Sequence, residues 1–176
     1  MAQHDHHTLS VLVENSPGVL VRVASLFSRR GFNIESLAVG PTERPDRSVI
    51  TIRVNCSEVS IEQVMKQLYK LVNVLKVSEL RADESVEREL MLVKVTASAE
   101  KRGELIHLAE VFGSRVSDVG RDAIVFEICE HPDRLAALEE LLRPYGIKET
   151  VRTGRIAVRR ALGEQREQRA RMRVLA

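Results

Sequence analysis

The sequence is poor in the residues and segments that several classes of protein require. Only 3% of its 176 residues are aromatic, and none is tryptophan. Its longest apolar runs are about four residues, whereas a membrane-spanning helix needs about 20. Residues 1–7 carry neither the basic region nor the apolar core of a secretory signal. We therefore expect a cytoplasmic protein that makes no contact with a membrane.

Residues that could support catalysis or bind a metal are also scarce. Cys56 and Cys129 belong to no motif, so we expect free thiols. Residues 4–7, His-Asp-His-His, are too closely spaced to face one ion together, and a mobile terminus is the favoured interpretation. Glu104 and His107 form a single Glu-x-x-His pair where a di-iron bundle needs two, which favours a solvated helix face. Because no nucleophile–base set or phosphate loop can be assembled, we expect a chain that is not an enzyme and holds no cofactor or metal.

What the sequence does contain is two rounds of the same alternation of strands and helices. Alternating apolar positions rich in β-branched residues predict the strands, and apolar residues at a spacing of 3.6 predict the helices. The first round comprises residues 9–13, 19–30 (helix), 32–39, 48–54, 61–72 (helix, capped near Ser57 or Ser60) and 74–80. The second comprises residues 90–96, 100–112 (helix), 116–119, 123–128, 132–143 (helix) and 147–151. Both rounds have the order βαββαβ, which predicts an α+β protein with two tandem ferredoxin-like domains.

The boundaries of the two domains follow from composition. Residues 81–88 are polar and show no periodicity, which predicts a linker between domains at 8–81 and 89–153. Residues 154–176 carry seven arginines against two glutamates, whereas the rest of the chain is net negative. We expect this arginine-rich tail to be mobile or to become ordered on a protein partner. Contact of its arginines with nucleic-acid phosphates is the less favoured alternative.

The joint between the first strand and the first helix, residues 15–20, has the composition of an anion site. Asn15 or Ser16 is expected to cap the helix, Pro17 suits the first turn, and Gly18 lets a ligand approach the backbone. Free N–H groups at a helix N-terminus favour a carboxylate or phosphate. We interpret the joint as a pocket for an amino acid that acts as a signal, although Asn-Ser-Pro-Gly also forms ordinary turns and caps. The second round has no Pro-Gly pair at its joint, residues 97–101.

An RNA-binding domain is the main alternative, because RNA-recognition modules share the βαββαβ order. Such modules stack bases on exposed aromatic residues of the first and third strands. Residues 9–13 and 49–54 contain no aromatic residue. We therefore expect no nucleic-acid partner.

Several runs of residues resemble one known family. These runs are residues 9–15, 17–20, 22–23, 26–37, 66–68, 70–72, 77–79 and 88–95. The most specific is Gly31-Phe32-Asn33-Ile34-Glu35-Ser36-Leu37. Together they are similar to the small, regulatory subunit of acetolactate synthase (acetohydroxyacid synthase) over roughly residues 8–155. The tail beyond residue 155 departs from the family pattern.

The resemblance implies a function as well as a fold. It implies that the first domain is an ACT domain, which forms a homodimer and binds a branched-chain amino acid, usually valine, at the pairing surface. It also implies a separate catalytic large subunit that carries thiamine diphosphate, magnesium and FAD. The small subunit of the family raises the activity of that partner and makes it sensitive to feedback inhibition. Carried over position by position, the effector would contact Asn15, Gly18, Val19 and Leu20 of one chain, and Asn33 and Ile34 of the other.

Overall fold

The structure, a computed structural model, describes residues 6–55 and 61–161. Residues 1–5, the proposed caps Ser57 and Ser60, Cys56, and residues 162–176 lie outside this range. The chain divides into two compact units. Unit 1 comprises Met1–Val86 with Arg155–Ala176, and unit 2 comprises Glu87–Gly154. In the described ranges, no helix is long and apolar enough to cross a membrane.

Each unit is built on one antiparallel sheet with two helices. Unit 1 contains β1 (His6–Glu14), α1 (Val19–Arg30), β2 (Asn33–Pro41), β3 (Arg47–Asn55), α2 (Ile61–Leu68) and β4 (Val74–Leu80). The following elements are β5 (Ser85–Thr96), α3 (Arg102–Val111), β6 (Arg115–Val119), β7 (Ala123–Glu130), α4 (Pro132–Leu142), a 3-10 turn (Arg143–Tyr145), β8 (Ile147–Arg152) and β9 (Ile156–Arg159). The strand orders are β2-β3-β1-β4 and β6-β7-β5-β8. Both orders follow from βαββαβ connectivity, so the predicted pair of ferredoxin-like units is confirmed.

The core of unit 1 lies between its sheet and the apolar faces of α1 and α2. Strand residues at alternating positions of β1, including Leu9 and Val11, are fully buried. Val23 and Phe27 of α1 pack into the same cluster. The helix ends where Gly31 adopts a left-handed conformation with φ 69°. This agrees with the stop signal of two arginines followed by glycine.

Helix α2 is shorter than its apolar pattern predicts. It ends at Leu68 rather than near residue 72, and the chain then turns into β4. The Tyr69 hydroxyl donates to the Val77 carbonyl (3.0 Å) and accepts from the Val77 N–H (3.1 Å). This contact holds the turn against β4. Val72, which lies within the predicted helix 61–72, is exposed.

The linker prediction for residues 81–88 is wrong for its second half. Only residues 81–84 connect the elements, because β5 already begins at Ser85. Glu87 and Glu89 occupy inward positions of β5 and are 3% and 8% exposed. Their partners are the His131 ring at 3.7 Å and the Arg152 guanidinium at 3.5 Å. Buried carboxylates need such partners, and charged residues at inward positions conceal the period of two that indicates a strand.

The prediction of a mobile tail is also wrong at its start. Residues Ile156–Arg159 form β9, which belongs to unit 1. The Arg160 N–H donates to the Glu84 carbonyl (2.8 Å), and the Arg155 N–H donates to Ser36 Oγ (3.5 Å). Of the arginines that suggested disorder, Arg159 lies within this short strand, and Arg155 and Arg160 lie on either side of it.

Candidate functional site

Gly18 forms the joint between β1 and α1. It is the N-cap of the helix, with φ 81° in the left-handed region, and no side chain caps the helix there. The predicted cap by Asn15 or Ser16 is therefore wrong, and Pro17 lies in the turn before the helix rather than in its first turn. The Asn15 side chain instead donates to the Pro45 carbonyl (3.1 Å), and its backbone N–H donates to the Asp46 carbonyl (2.8 Å). These bonds tie the joint to the β2–β3 loop.

The joint presents backbone N–H groups at the positive end of a helix. The Val19 N–H makes one long bond to the Ser16 carbonyl (3.4 Å). Within the part of the chain that the structure describes, the N–H groups of Gly18, Leu20 and Val21 have no hydrogen-bond partner. The first turn of α1 contains no acidic residue. Three free donors with the helix dipole behind them, and no acidic side chain in the first turn, are the features that favour an anion at this position.

The side chains at the joint have different surroundings. Val19 is buried in the core of unit 1, so only its backbone faces the joint. Leu20 is exposed and offers an apolar surface next to the free donors. Asn15 is exposed as well, and its Oδ1 atom remains available as an acceptor because its Nδ2 donates to Pro45. The joint therefore combines N–H donors, one amide oxygen and one apolar side chain.

Asn33 and Ile34, the other predicted contacts, lie at the opposite end of the same sheet. Asn33 pairs with Asn55 at the end of β3, whereas the joint follows Glu14, which pairs with Arg47 at the start of β3. Eight residues of β3 separate these ends, or roughly 27 Å at about 3.4 Å per residue. One amino acid cannot span this distance. The structure of a single chain thus brings Asn15, Gly18, Val19 and Leu20 together, but not with Asn33 and Ile34.

Unit 2 lacks the features that make the joint of unit 1 a site. Its helix α3 begins at Arg102, and the N-cap Lys101 has right-handed geometry. The Arg102 guanidinium donates to the carbonyls of Gly120 (3.0 Å) and Arg121 (2.7 Å) in the β6–β7 turn. Glu104 lies in the first turn of α3. An acid in that turn and the absence of a left-handed glycine agree with the degraded joint seen in the sequence.

The histidines behave differently from expectation at the N-terminus. His6 and His7 belong to β1 and pair with Glu35 (2.9 Å) and Glu79 (2.6 Å), so the mobile-terminus prediction is wrong for these two residues. His4 and Asp5 lie outside the described residues. Across residues 6–55 and 61–161, no group of three or more ligating side chains could hold a metal ion.

In unit 2, the remaining candidates are ordinary surface groups. His107 is exposed on α3, as expected for a solvated helix face. Glu104 accepts a hydrogen bond from the Tyr145 hydroxyl (2.6 Å), which raises the pKa of Tyr145. Cys129 is an exposed free thiol, as predicted.

The ferredoxin-like fold of unit 1 and its glycine joint fit an ACT domain, which places the chain in the class of ACT-containing regulatory proteins. Family models identify the two units separately. Residues 9–76 match the AHAS small subunit-like ACT domain. Residues 88–161 match the model described as the small subunit of acetolactate synthase.

Similar proteins lead to the same family. The chain is 54% identical over 152 residues to the probable acetolactate synthase small subunit of Archaeoglobus fulgidus, covering 86% of this chain and 95% of the relative. It is 51% identical over 154 residues to the acetolactate synthase small subunit of Mycolicibacterium smegmatis, covering 88% and 91%. The crystal structure of the Thermotoga maritima small subunit matches with a TM-score of 0.82 and 41% identity, covering 88% and 97%. The chain belongs to the family of acetolactate synthase small subunits, and it is a regulatory subunit rather than a catalytic one.

Sequence reasoning missed the carbonyl groups that position the joint. Pro45 and Asp46, which accept from Asn15, lie 30 and 31 residues further along the sequence. The only signal was that both lie in a loop rich in proline and charge. The sequence suggested that Gly18 is a glycine so that a ligand can approach the backbone. In the structure, however, a Cβ added at Gly18 would meet no atom within 4 Å. The residue is needed for its backbone conformation.

Two glycine-to-alanine substitutions test this assignment. Gly18→Ala should destabilise the chain by about 1 kcal/mol, because alanine pays for the left-handed conformation that glycine adopts freely. Gly103→Ala in α3, where a Cβ is equally unobstructed, should instead stabilise it by about 0.5 kcal/mol through helix propensity. Urea unfolding followed by circular dichroism measures both. Effects of the same sign would contradict the backbone account of Gly18.

Proposed function

We propose that this chain activates the catalytic large subunit of acetolactate synthase and makes it sensitive to a branched-chain amino acid, with valine as the first candidate. Catalysis, with thiamine diphosphate, magnesium and FAD, is assigned to the large subunit. Family membership and the free N–H groups at the start of α1 support this proposal. We place the complex in the cytoplasm, where an exposed thiol such as Cys129 stays reduced.

The proposed site has two halves: the joint (Asn15, Gly18, Val19 and Leu20) of one chain, and Asn33 with Ile34 of the other. The chemistry of these two half-sites fits the two ends of an amino acid. The N–H groups of Gly18 and Leu20 donate to the carboxylate, and the side-chain oxygen of Asn15 or Asn33 accepts from the ammonium group. Ile34 is half-buried against the core of its unit, and it provides a fixed apolar wall. Charge-assisted hydrogen bonds contribute about 1.5–3 kcal/mol each, and a ligand with so few atoms reaches only micromolar to millimolar affinity. That range suits a sensor of metabolite concentration.

The separation of the half-sites in one chain is the observation on which the homodimer proposal rests. Strand β2 is an edge of its sheet. It carries one charged residue, Glu35, near its start, and residues 36–41 carry none. The edge strands β4, β6 and β8 each carry two or three charged residues. Charged side chains protect an edge from pairing, whereas an uncharged edge is a template for another strand. We therefore assign β2 as the edge that pairs with a second copy.

Antiparallel pairing of two β2 strands would bring the separated half-sites together. Pro41 at the end of β2 pairs with Ser48, beside the Arg47–Glu14 pair that precedes the joint. In an antiparallel arrangement, the Asn33 end of one strand lies against the Pro41 end of the other. Each joint then lies near Asn33 and Ile34 of the second chain. A two-fold axis through the paired strands generates two identical sites.

Regulation follows from the location of the effector between two chains. An amino acid bound at both half-sites stabilises one dimer geometry over others. The effector can change the activity of the large subunit only to the extent that its affinity differs between those dimer geometries. By linkage, binding of the large subunit changes the effector affinity by the same factor.

Reconstitution with the large subunit tests the function directly. The chain should co-purify with the large subunit and raise the rate at which it forms acetolactate from pyruvate. Valine should lower that rate only when the chain is present, and parallel assays with leucine and isoleucine identify the preferred effector. Acetolactate formation by the isolated chain, or an unchanged rate on mixing, would overturn the proposal.

Charge placed on the β2 edge should break the dimer. Val39, 48% exposed on β2, is the target, and Val119, 51% exposed on β6, is the matched control. Val39→Lys should yield monomers in analytical ultracentrifugation and lower valine affinity at least tenfold, because each monomer holds only half of each site. Val119→Lys should change neither quantity. A dimer that survives Val39→Lys with full valine affinity would contradict the edge assignment.

A further inference from the structure

A charged cluster lies immediately beside the half-site at Asn33 and Ile34. Glu35 is the residue skipped where the pairing of β2 with β3 shifts register, between Ile34 and Ser36. Its Oε1 atom lies 2.9 Å from His6 Nδ1, and its Oε2 atom lies 3.7 Å from Arg53 Nε. The Glu35 side chain is 31% exposed, so it is neither buried nor freely solvated. The carboxylate of the bulge residue is thus held from two sides.

The two partners of Glu35 lie on the central strands of the sheet. His6 belongs to β1 and Arg53 to β3, the two central strands. The Arg53 guanidinium also donates to Thr8 Oγ1 at 3.1 Å, and Thr8 is buried. The cluster, which we call the Glu35 clamp (Glu35, His6 and Arg53), therefore connects the start of an edge strand to both central strands.

A bulge changes the direction of the residues next to it, and an edge strand is held on one side only. The register and orientation of Asn33 and Ile34 therefore depend on the contacts that fix the bulge at Glu35. Charge-assisted hydrogen bonds are stronger than neutral ones and impose geometry. The Glu35 clamp is the charged contact at this position of β2.

We propose that Glu35 is a positioning residue of the effector site, and that the Glu35 clamp sets effector affinity by fixing how Asn33 and Ile34 face the second chain. This inference rests on the proposed function. Glu35 itself makes no contact with the ligand in this scheme. It acts through the backbone of the bulge.

The same sheet contains a matched control for this cluster. His7 Nδ1 lies 2.6 Å from Glu79 Oε1, and the Glu79 side chain is 34% exposed. This pair joins β1 to β4, the opposite edge from β2. Removal of the Glu79 carboxylate breaks a comparable contact with a histidine but does not affect the bulge at Glu35.

Isothermal titration of valine into the full-length chain is the test. Glu35→Gln should raise the dissociation constant about tenfold, because Asn33 and Ile34 are then no longer held in position, and a misplaced Asn33 loses about one charge-assisted hydrogen bond to the ligand. Glu79→Gln should leave the dissociation constant within about twofold, because its contact lies at the opposite edge of the sheet. Hydrogen exchange should accelerate at residues 33–36 in Glu35→Gln alone. Exchanging the charges, with Glu35→Arg and Arg53→Glu together, should recover part of the affinity that Glu35→Arg loses, because the clamp is electrostatic.

The outcomes separate this inference from the function on which it rests. If the wild-type chain binds valine and Glu35→Gln binds it equally well, the proposed role of the Glu35 clamp is wrong, whereas the proposed effector site is retained. Equal losses in Glu35→Gln and Glu79→Gln, or no recovery in the charge exchange, also overturn the clamp. If the wild-type chain binds none of valine, leucine and isoleucine, both proposals fail.

Discussion

Antiparallel pairing of β1 with β3, and of β3 with β2, imposes the constraint on which the proposed function depends. It places the glycine joint and the Asn33 end of β2 at opposite ends of one sheet. A small ligand cannot bridge that distance, so an effector that contacts both must lie between two chains. The proposed antiparallel dimer, and the proposed coupling of effector binding to dimer geometry, both rest on this one feature of the topology.

The two units show how one fold can carry a site or omit it. Both have the same strand order, and both edge strands that follow the first helix, β2 and β6, have a register shift after their second paired residue. Unit 1 combines a left-handed glycine with free backbone donors. Unit 2 has no left-handed glycine at the start of α3, and the first turn of that helix contains an acidic residue. The Arg102 side chain at the same helix end donates to carbonyls of the β6–β7 turn. The shared fold therefore does not by itself determine the local chemistry, and the features on which the proposed effector site rests come from a few residues at the joint of unit 1.

Local patterns in the sequence predicted the elements and the sheet order, because hydrophobic period and the glycine stop at residue 31 act over a few residues. Contacts between distant residues could not be predicted in this way. Glu87 and Glu89 concealed the start of β5, since their partners His131 and Arg152 are far along the chain. The prediction that Asn15 caps α1 failed for the same reason, because the Asn15 side chain donates to the carbonyl of Pro45 in a distant loop. The six effector contacts remain predictions that rest on family resemblance and on the geometry of the joint.

Subunit mixing tests the claim of a site shared between chains most directly. One chain carries Gly18→Asp, which places a negative charge at the anion site, and the other carries Asn33→Ala. Each alone should bind valine poorly in isothermal titration. After unfolding and refolding together in equal amounts, half of the dimers are mixed and each holds one intact site, so wild-type affinity should return at roughly a quarter of the sites. No recovery after confirmed exchange of chains would contradict the account.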